Sequence, residues 1–222
     1  MQSDKDAVQV WDPVVRIGHW AVVLAFSVAY FTEDDFLAQH VWAGYVVGAV
    51  LCVRLLWGFV GTRHARFKDF IRGPVATFRY LRDLLNRRAK RYVGHNPAGA
   101  VMIVVLLIGL SATVYSGLVL YAIEENAGPL AGLVSEQSFP DGTQTIFATA
   151  VAGENDYGDD VGHEEGSREE FWEELHELFA NLTLVMVVVH VSGMLFTSHV
   201  NQENLIKAMF TGRKRRGVKK VS

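Results

Sequence analysis

The chain has 222 residues, half of them hydrophobic, and a formal charge of −3. One cysteine, Cys52, excludes an intrachain disulfide, a cysteine-held iron–sulfur cluster and a C-x-x-C-H cofactor attachment. The small net charge conceals a segregation. Residues 54–95 hold 11 Arg/Lys against Asp69 and Asp83, residues 200–222 hold 7 against Glu203, and residues 122–175 hold 14 Asp/Glu against Arg168 alone.

Residues 1–12 read as a short polar lead with no basic n-region and no small-residue cleavage site after the first apolar run, so a retained helix is expected in place of a signal peptide. Asp12 and Pro13 form an N-cap followed by proline at N1 and open a helix over about 13–32. Glu33, Asp34 and Asp35 close it. A second apolar helix covers 37–60, with Arg54 as its one charged residue.

The basic segment that follows sets Phe70, Phe78, Tyr80, Leu81, Leu84 and Leu85 among its cations. It reads either as an interfacial amphipathic helix or as a short helix packed on the bundle base. A third apolar helix is expected at 97–121. The acidic stretch 122–171 reads as a partly ordered loop with a little apolar sequence at Thr145–Ala152 and a more flexible part near Glu154–Gly166. A fourth helix is expected at 172–199, and the run Leu178–Val200 within it carries no Asp, Glu, Lys or Arg. The basic tail 200–222 fits juxtamembrane lipid better than nucleic acid.

Four runs near the length needed to cross hydrocarbon predict an all-α integral membrane protein, one domain over 1–222 built as a four-transmembrane-helix bundle. With both termini and the basic loop inside and the acidic loop outside, 20 of the 21 Arg/Lys fall on the inner side. The reading is therefore N-in/C-in, with the long acidic loop between helices 3 and 4 on the outer side.

Imidazoles in hydrocarbon are costly and need partners. His176 and His190 lie 14 residues apart on the last helix, roughly 21 Å along one face. In the four-crossing topology His40 shares the outer level with His176, and His19 shares the inner level with His190. Two level-matched pairs suit the two opposed axial positions of haem iron. Zinc or di-iron sites would favour additional carboxylate or cysteine ligands, and no Asp or Glu lies at the depth of the inner pair. Arg54, 14 residues after His40, is placed to meet a haem propionate or to snorkel to the surface. Gly44, Gly48, Gly109, Gly117 and Gly193 would let helices or a flat ring approach closely. His95, Asn96 and His199 sit near the inner interface, where they would either line a quinone pocket or serve as helix caps and anchors. His163, in the acidic loop, is expected to be solvated.

The run Trp11-Asp12-Pro13-Val14-Val15-Arg16-Ile17-Gly18-His19-Trp20, together with His40-x-x-x-Gly44, Arg54-Leu55-Leu56-Trp57-Gly58, Gly94-His95-Asn96-Pro97, His176…His190 and Glu203-Asn204-Leu205, resembles the bacterial di-haem cytochromes b of the b561 / nickel-hydrogenase b-subunit family. The resemblance covers nearly the whole chain except most of 122–175. It implies two non-covalent b haems on His19, His40, His176 and His190, and electron exchange between quinone and a partner protein such as a hydrogenase, a formate dehydrogenase or a c-type cytochrome. Some members instead act alone, oxidising superoxide and reducing quinone. The acidic outer loop favours a basic periplasmic redox partner and disfavours capture of an anion. A non-redox anchor or a histidine proton relay is the reading of a different class.

Overall fold

The computed structural model describes residues 7–32, 36–71, 73–86, 88, 92, 94–136 and 161–215. The expectations for Thr145–Ala152, for the flexible stretch up to residue 160 and for the His163 side chain lie outside these described residues. In chain order the elements are β1 (Ala7–Gln9), α1 (Pro13–Phe31), α2 (Leu37–Val60), α3 (Phe67–Phe70), α4 (Pro74–Leu85), α5 (Pro97–Glu124), α6 (Ala131–Glu136), α7 (Val161–Val200), α8 (Leu205–Thr211) and β2 (Arg213–Arg215). Helices α1, α2 and α5, and the Arg168–Val200 part of α7, are long and apolar enough to cross a bilayer.

Helix α7 begins at Val161, well before the position near 172 expected from hydropathy. Its first turns carry Glu164, Glu165, Glu169, Glu170, Glu173 and Glu174. Glutamate is a good helix former, and negative charge near a helix N-terminus is favourable. The polar extension is therefore helical without being apolar.

The helices are inverted relative to those of a soluble protein. Phe31, Trp42, Leu56 and Ile108 are more than 60% exposed, whereas Ser116 and Thr183 are 0% and 1% exposed. Large apolar side chains face outward, toward lipid, and small polar ones face inward.

Two compact units are present: Met1–Ser111 with Ala180–Ser222, and Ala112–Phe179. In the first, Gly18 of α1 lies against Val50 of α2, and Gly109 of α5 lies against Thr183 of α7, where a Cβ would come within 2.9 Å of the hydroxyl. The Tyr30 hydroxyl donates to Asn181 Oδ1 at 3.3 Å, linking α1 to α7. Ala25, Ala43, Val47, Leu51, Ala100 and Leu110 are buried in this unit. In the second unit Ser116, Val119 and Ala122 are buried, and the rings of Tyr115 and Trp172 meet edge to face at 6.0 Å.

The first unit also joins the two ends of the described chain. β1 and β2 pair antiparallel, with Val8 opposite Lys214. Gly212 O accepts from Val10 N at 2.8 Å and Trp11 N at 3.1 Å. This pairing requires both terminal segments to lie on one side of the membrane, as an even number of crossings demands. Gly212 ends α8 at φ 75, and a Cβ there would sit 2.7 Å from Trp11 O. Glycine meets both constraints.

Asp12 fixes the start of α1. Its Oδ1 accepts from Val15 N at 3.0 Å, and its Oδ2 accepts from Trp57 Nε1 at 3.1 Å and Thr62 Oγ1 at 2.6 Å. One carboxylate thus caps α1 and clips it to the end of α2. Partial burial pushes its pKa up, but the hydrogen bonds from Thr62, Val15 and Trp57 outweigh that effect, and the carboxyl lies below its ordinary range. Replacing Asp12 by alanine is expected to cost about 2 kcal/mol, measured as a lower thermal midpoint in detergent. A group with a depressed folded pKa contributes stability above its unfolded value and loses it as pH falls through the folded one. The gap between wild type and Asp12→Ala should therefore be full at neutral pH and close as pH is taken below about 4. A gap independent of pH would contradict the role of the charge.

Candidate functional site

Arg16, His19 and Trp20 occupy one stripe of α1 at i, i+3 and i+4. Arg16 Nε, His19 Nδ1 and Trp20 Nε1 are all buried, and none has a hydrogen-bond partner among the described residues. The His19 and Trp20 rings meet edge to face at 5.2 Å, and Trp20 stacks on Phe210 of α8 at 4.4 Å. His190 of α7 is near enough to His19 for their charges to interact. Two of the four intramembrane histidines are therefore brought together within the first unit.

His40, in the first turn of α2, directs Nδ1 to the Ala29 carbonyl of α1 at 2.9 Å. His176 of α7 directs Nδ1 to the Thr113 carbonyl and to Ser116 Oγ of α5, each at 3.0 Å. A carbonyl oxygen only accepts, so Nδ1 carries the hydrogen in both rings and the lone pair resides on Nε2. That tautomer and anchoring are the usual arrangement of a histidine prepared to bind a metal. Gly117 makes the close approach possible, because a Cβ there would lie 2.7 Å from His176 Cε1. His40 belongs to the first unit and His176 to the second.

Arg54 is half-buried and engaged by its neighbours. Its Nη1 donates to Ala65 O at 3.3 Å, and its guanidinium lies over the Phe67 ring at 5.1 Å from the centroid. This engagement, formed by the turn after α2, uses one of its five N–H donors.

Of the three residues expected at the inner interface, Asn96 is a helix cap, with Oδ1 accepting from Gly99 N at 2.7 Å at the start of α5. His199 is exposed in the last turn of α7. His95 packs on Trp11 with ring centroids 4.4 Å apart. Burial, then the nearby cations Arg54 and Lys214 and the His64 ring, push its pKa down to about 3. It is neutral throughout the physiological range.

Sequence reasoning missed His64, Lys214 and the orphaned donors of Arg16 and Trp20. Lys214 faces Glu203 at 4.0 Å, both side chains nearly buried, and lies 5.9 Å over Trp11. The strand pair brings these residues together, and a three-residue strand leaves no periodic signal. The Arg16–His19–Trp20 spacing was legible as one helical stripe, but its burial was not.

Within the first unit the residues present would suit a metal-bearing macrocycle with acidic substituents: His19 lies near His190 with its Nδ1 buried and unsatisfied, and Arg16 Nε and Trp20 Nε1 are buried donors without an acceptor among the described residues. Among the described residues no group of three His, Cys, Asp or Glu converges as a cluster for a bare metal ion.

The family described as prokaryotic cytochrome b561 matches residues 10–212. Curated relatives include proteins called probable Ni/Fe-hydrogenase B-type cytochrome subunit. The one from Rhodobacter capsulatus is 24% identical over 94% of this chain and 81% of its own length. Those from Azotobacter vinelandii and Azotobacter chroococcum mcd 1 are 29% and 30% identical over 52% of this chain and 60% of theirs. The chain thus spans about four fifths of the first and three fifths of the other two. No solved structure matches significantly. The chain belongs to the prokaryotic cytochrome b561 family, a multi-pass b-type cytochrome that carries haem b and transfers electrons in the membrane.

Proposed function

We propose that this cytochrome carries electrons across a bacterial inner membrane through two b haems, between the quinone pool and a redox protein on the outer side. The observation that carries the reading is the preparation of the histidines. His40 and His176 are held through Nδ1 on backbone carbonyls, which puts the lone pair on Nε2, and His19 and His190 lie together. His19 with His190 would hold one haem, and His40 with His176 would hold the other. Bound haem supplies one-electron redox chemistry, and the chain tunes it by imidazole ligation, low dielectric and nearby charge.

Arg16 and Trp20 add donors beside the inner pair. An arginine pairs with a carboxylate through charge-assisted hydrogen bonds, and an indole N–H donates to one. These two are assigned to the propionates of the inner haem, in preference to Arg54, whose guanidinium already meets Ala65 and Phe67.

The quinone reading narrows at the inner interface. The carboxamide oxygen of Asn96 is committed to the α5 cap and His199 is exposed, so His95 is the member suited to hydrogen-bond a quinone head group. On the other side, Glu124, Glu125, Glu169 and Glu173 lie near enough to interact electrostatically. Such a surface attracts a basic partner and speeds encounter at low salt. The partner is accordingly a basic redox protein, a hydrogenase subunit by analogy with the names of the relatives or a c-type cytochrome. The basic segments place both termini in the cytoplasm under the positive-inside rule.

The test is a reduced-minus-oxidised spectrum with haemochrome quantitation on purified protein. Two haems per chain are expected. His19→Ala and His190→Ala should each remove one haem and leave the same one behind, and His40→Ala and His176→Ala should leave the other. Full haem content in all four variants would overturn the ligand assignment. Absence of haem from a folded, haem-supplied preparation would leave the anchor or proton-relay reading.

Arg16→Gln is expected to retain both haems and to lower the potential of one by roughly 50 mV, about tenfold in a one-electron equilibrium, because a cation beside a haem favours the reduced form. Redox titration of the two haems in wild type, Arg16→Gln and Arg54→Gln checks this. A larger shift in Arg54→Gln than in Arg16→Gln would return the propionate to Arg54.

A further inference from the structure

Helix α4 (Pro74–Leu85) presents three faces. Thr77, Tyr80 and Leu84, at i, i+3 and i+7, are buried. Thr77 Oγ1 donates to the Pro97 carbonyl at 3.5 Å, and Tyr80 lies against Asn201. Pro97 opens α5 and Asn201 follows the end of α7 at Val200. These contacts set α4 at the level where two spanning helices meet the membrane boundary.

The next face turns away from the protein. Phe78, Leu81 and Leu85, again at i, i+3 and i+7, are 73%, 43% and 74% exposed. Val75, at 70%, extends this face toward the start of the helix. Arg82 stands at the edge of this face between Phe78 and Val75, Arg79 lies just beyond it, both exposed, and the half-buried Asp83 follows on the far side. The surrounding sequence is strongly cationic, with 7 Arg/Lys against Asp83 over residues 71–91.

A stripe of large apolar side chains is poorly suited to water, and the two arginines are poorly suited to hydrocarbon. An amphipathic helix resolves the conflict by lying in the bilayer surface, with acyl chains on one face and headgroups on the other. Charge complementarity selects anionic headgroups. We infer that α4 lies in the membrane surface as a binding site for anionic phospholipid, with Phe78, Leu81 and Leu85 among the acyl chains and Arg79 and Arg82 at the phosphates. A soluble protein docking on the same stripe would not need it to lie at the boundary level of α5 and α7.

The test uses the full chain in vesicles. Cys52→Ser removes the native thiol, and nitroxide labels are placed at Phe78→Cys, Leu85→Cys and Asp83→Cys in separate variants. A haem spectrum matching wild type certifies the fold of each. In vesicles of phosphatidylcholine and phosphatidylglycerol, labels at 78 and 85 should be relaxed by oxygen and shielded from a water-soluble paramagnetic reagent, with the order reversed at 83. Equal aqueous access at all three positions overturns the proposal, whether the face is free or becomes protected only when a protein partner is added. In the unlabelled chain, Arg79→Gln and Arg82→Gln should each lower the phosphatidylglycerol retained over phosphatidylcholine on detergent extraction by roughly fivefold. Unchanged retention in the double variant overturns the headgroup site.

Discussion

Hydrocarbon contains no water, so every polar group inside it must be paired by the protein or by something the protein holds. Most of the intramembrane polar groups obey this internally. Ser116 donates to the Thr113 carbonyl one turn back, and the Nδ1 atoms of His40 and His176 meet carbonyls of neighbouring helices. The stripe of Arg16, His19 and Trp20 does not. Leaving a buried donor or acceptor unsatisfied costs about 1–3 kcal/mol, more for a charged group. Three such costs on adjacent turns of one helix are what the proposed haem would relieve, with its iron and the acceptor oxygens of its propionates. A helix merely packed against its neighbours would place such groups elsewhere.

The position of that stripe depends on how α1 begins. Asp12 caps the helix and takes two further hydrogen bonds from Trp57 and Thr62, so the depth of α1 is tied to the end of α2. Immediately before it, Trp11 bonds through its backbone to Gly212, and Phe210 stacks on Trp20 one helix turn beyond Arg16. The C-terminal segment therefore completes the wall around the stripe, although it is far away in sequence. Gly212 is required by both φ and space, and it sets the turn that delivers β2 to β1. Disturbing this turn would move a wall of the site without touching any histidine.

The four spans were legible because a bilayer imposes a length and a composition that hydropathy measures directly. The histidine pattern was legible for a related reason: imidazole in an apolar run has few explanations. What hydropathy cannot see is helix that is not in lipid. The start of α7 at Val161 is acidic, and its helicity comes from glutamate propensity and the helix dipole, neither of which registers as an apolar run. The pairing of Val8 with Lys214 was hidden because a three-residue register is too short to show an alternation. The partner of Arg54 depends on the turn that returns Ala65 and Phe67 to α2, a tertiary event. The amphipathic segment offered two readings, interfacial or packed, and α4 packs through Thr77, Tyr80 and Leu84 while Phe78, Leu81 and Leu85 stay exposed.

The same boundary collects charge. Arg54, His64 and Lys214 all bear on His95, and Glu203 offsets only one of them. Adding a proton to His95 would place another cation among existing ones in a poorly hydrated site, which is why its pKa falls to about 3. A neutral imidazole there can hydrogen-bond a polar head group, but it cannot store a proton near neutral pH. If the proposed quinone site lies here, its chemistry, which couples each electron to a proton, would draw that proton from water or from groups nearer the aqueous phase. The cluster would work by holding and polarising an oxygen with fixed positive charge, and protonation would arrive from outside it.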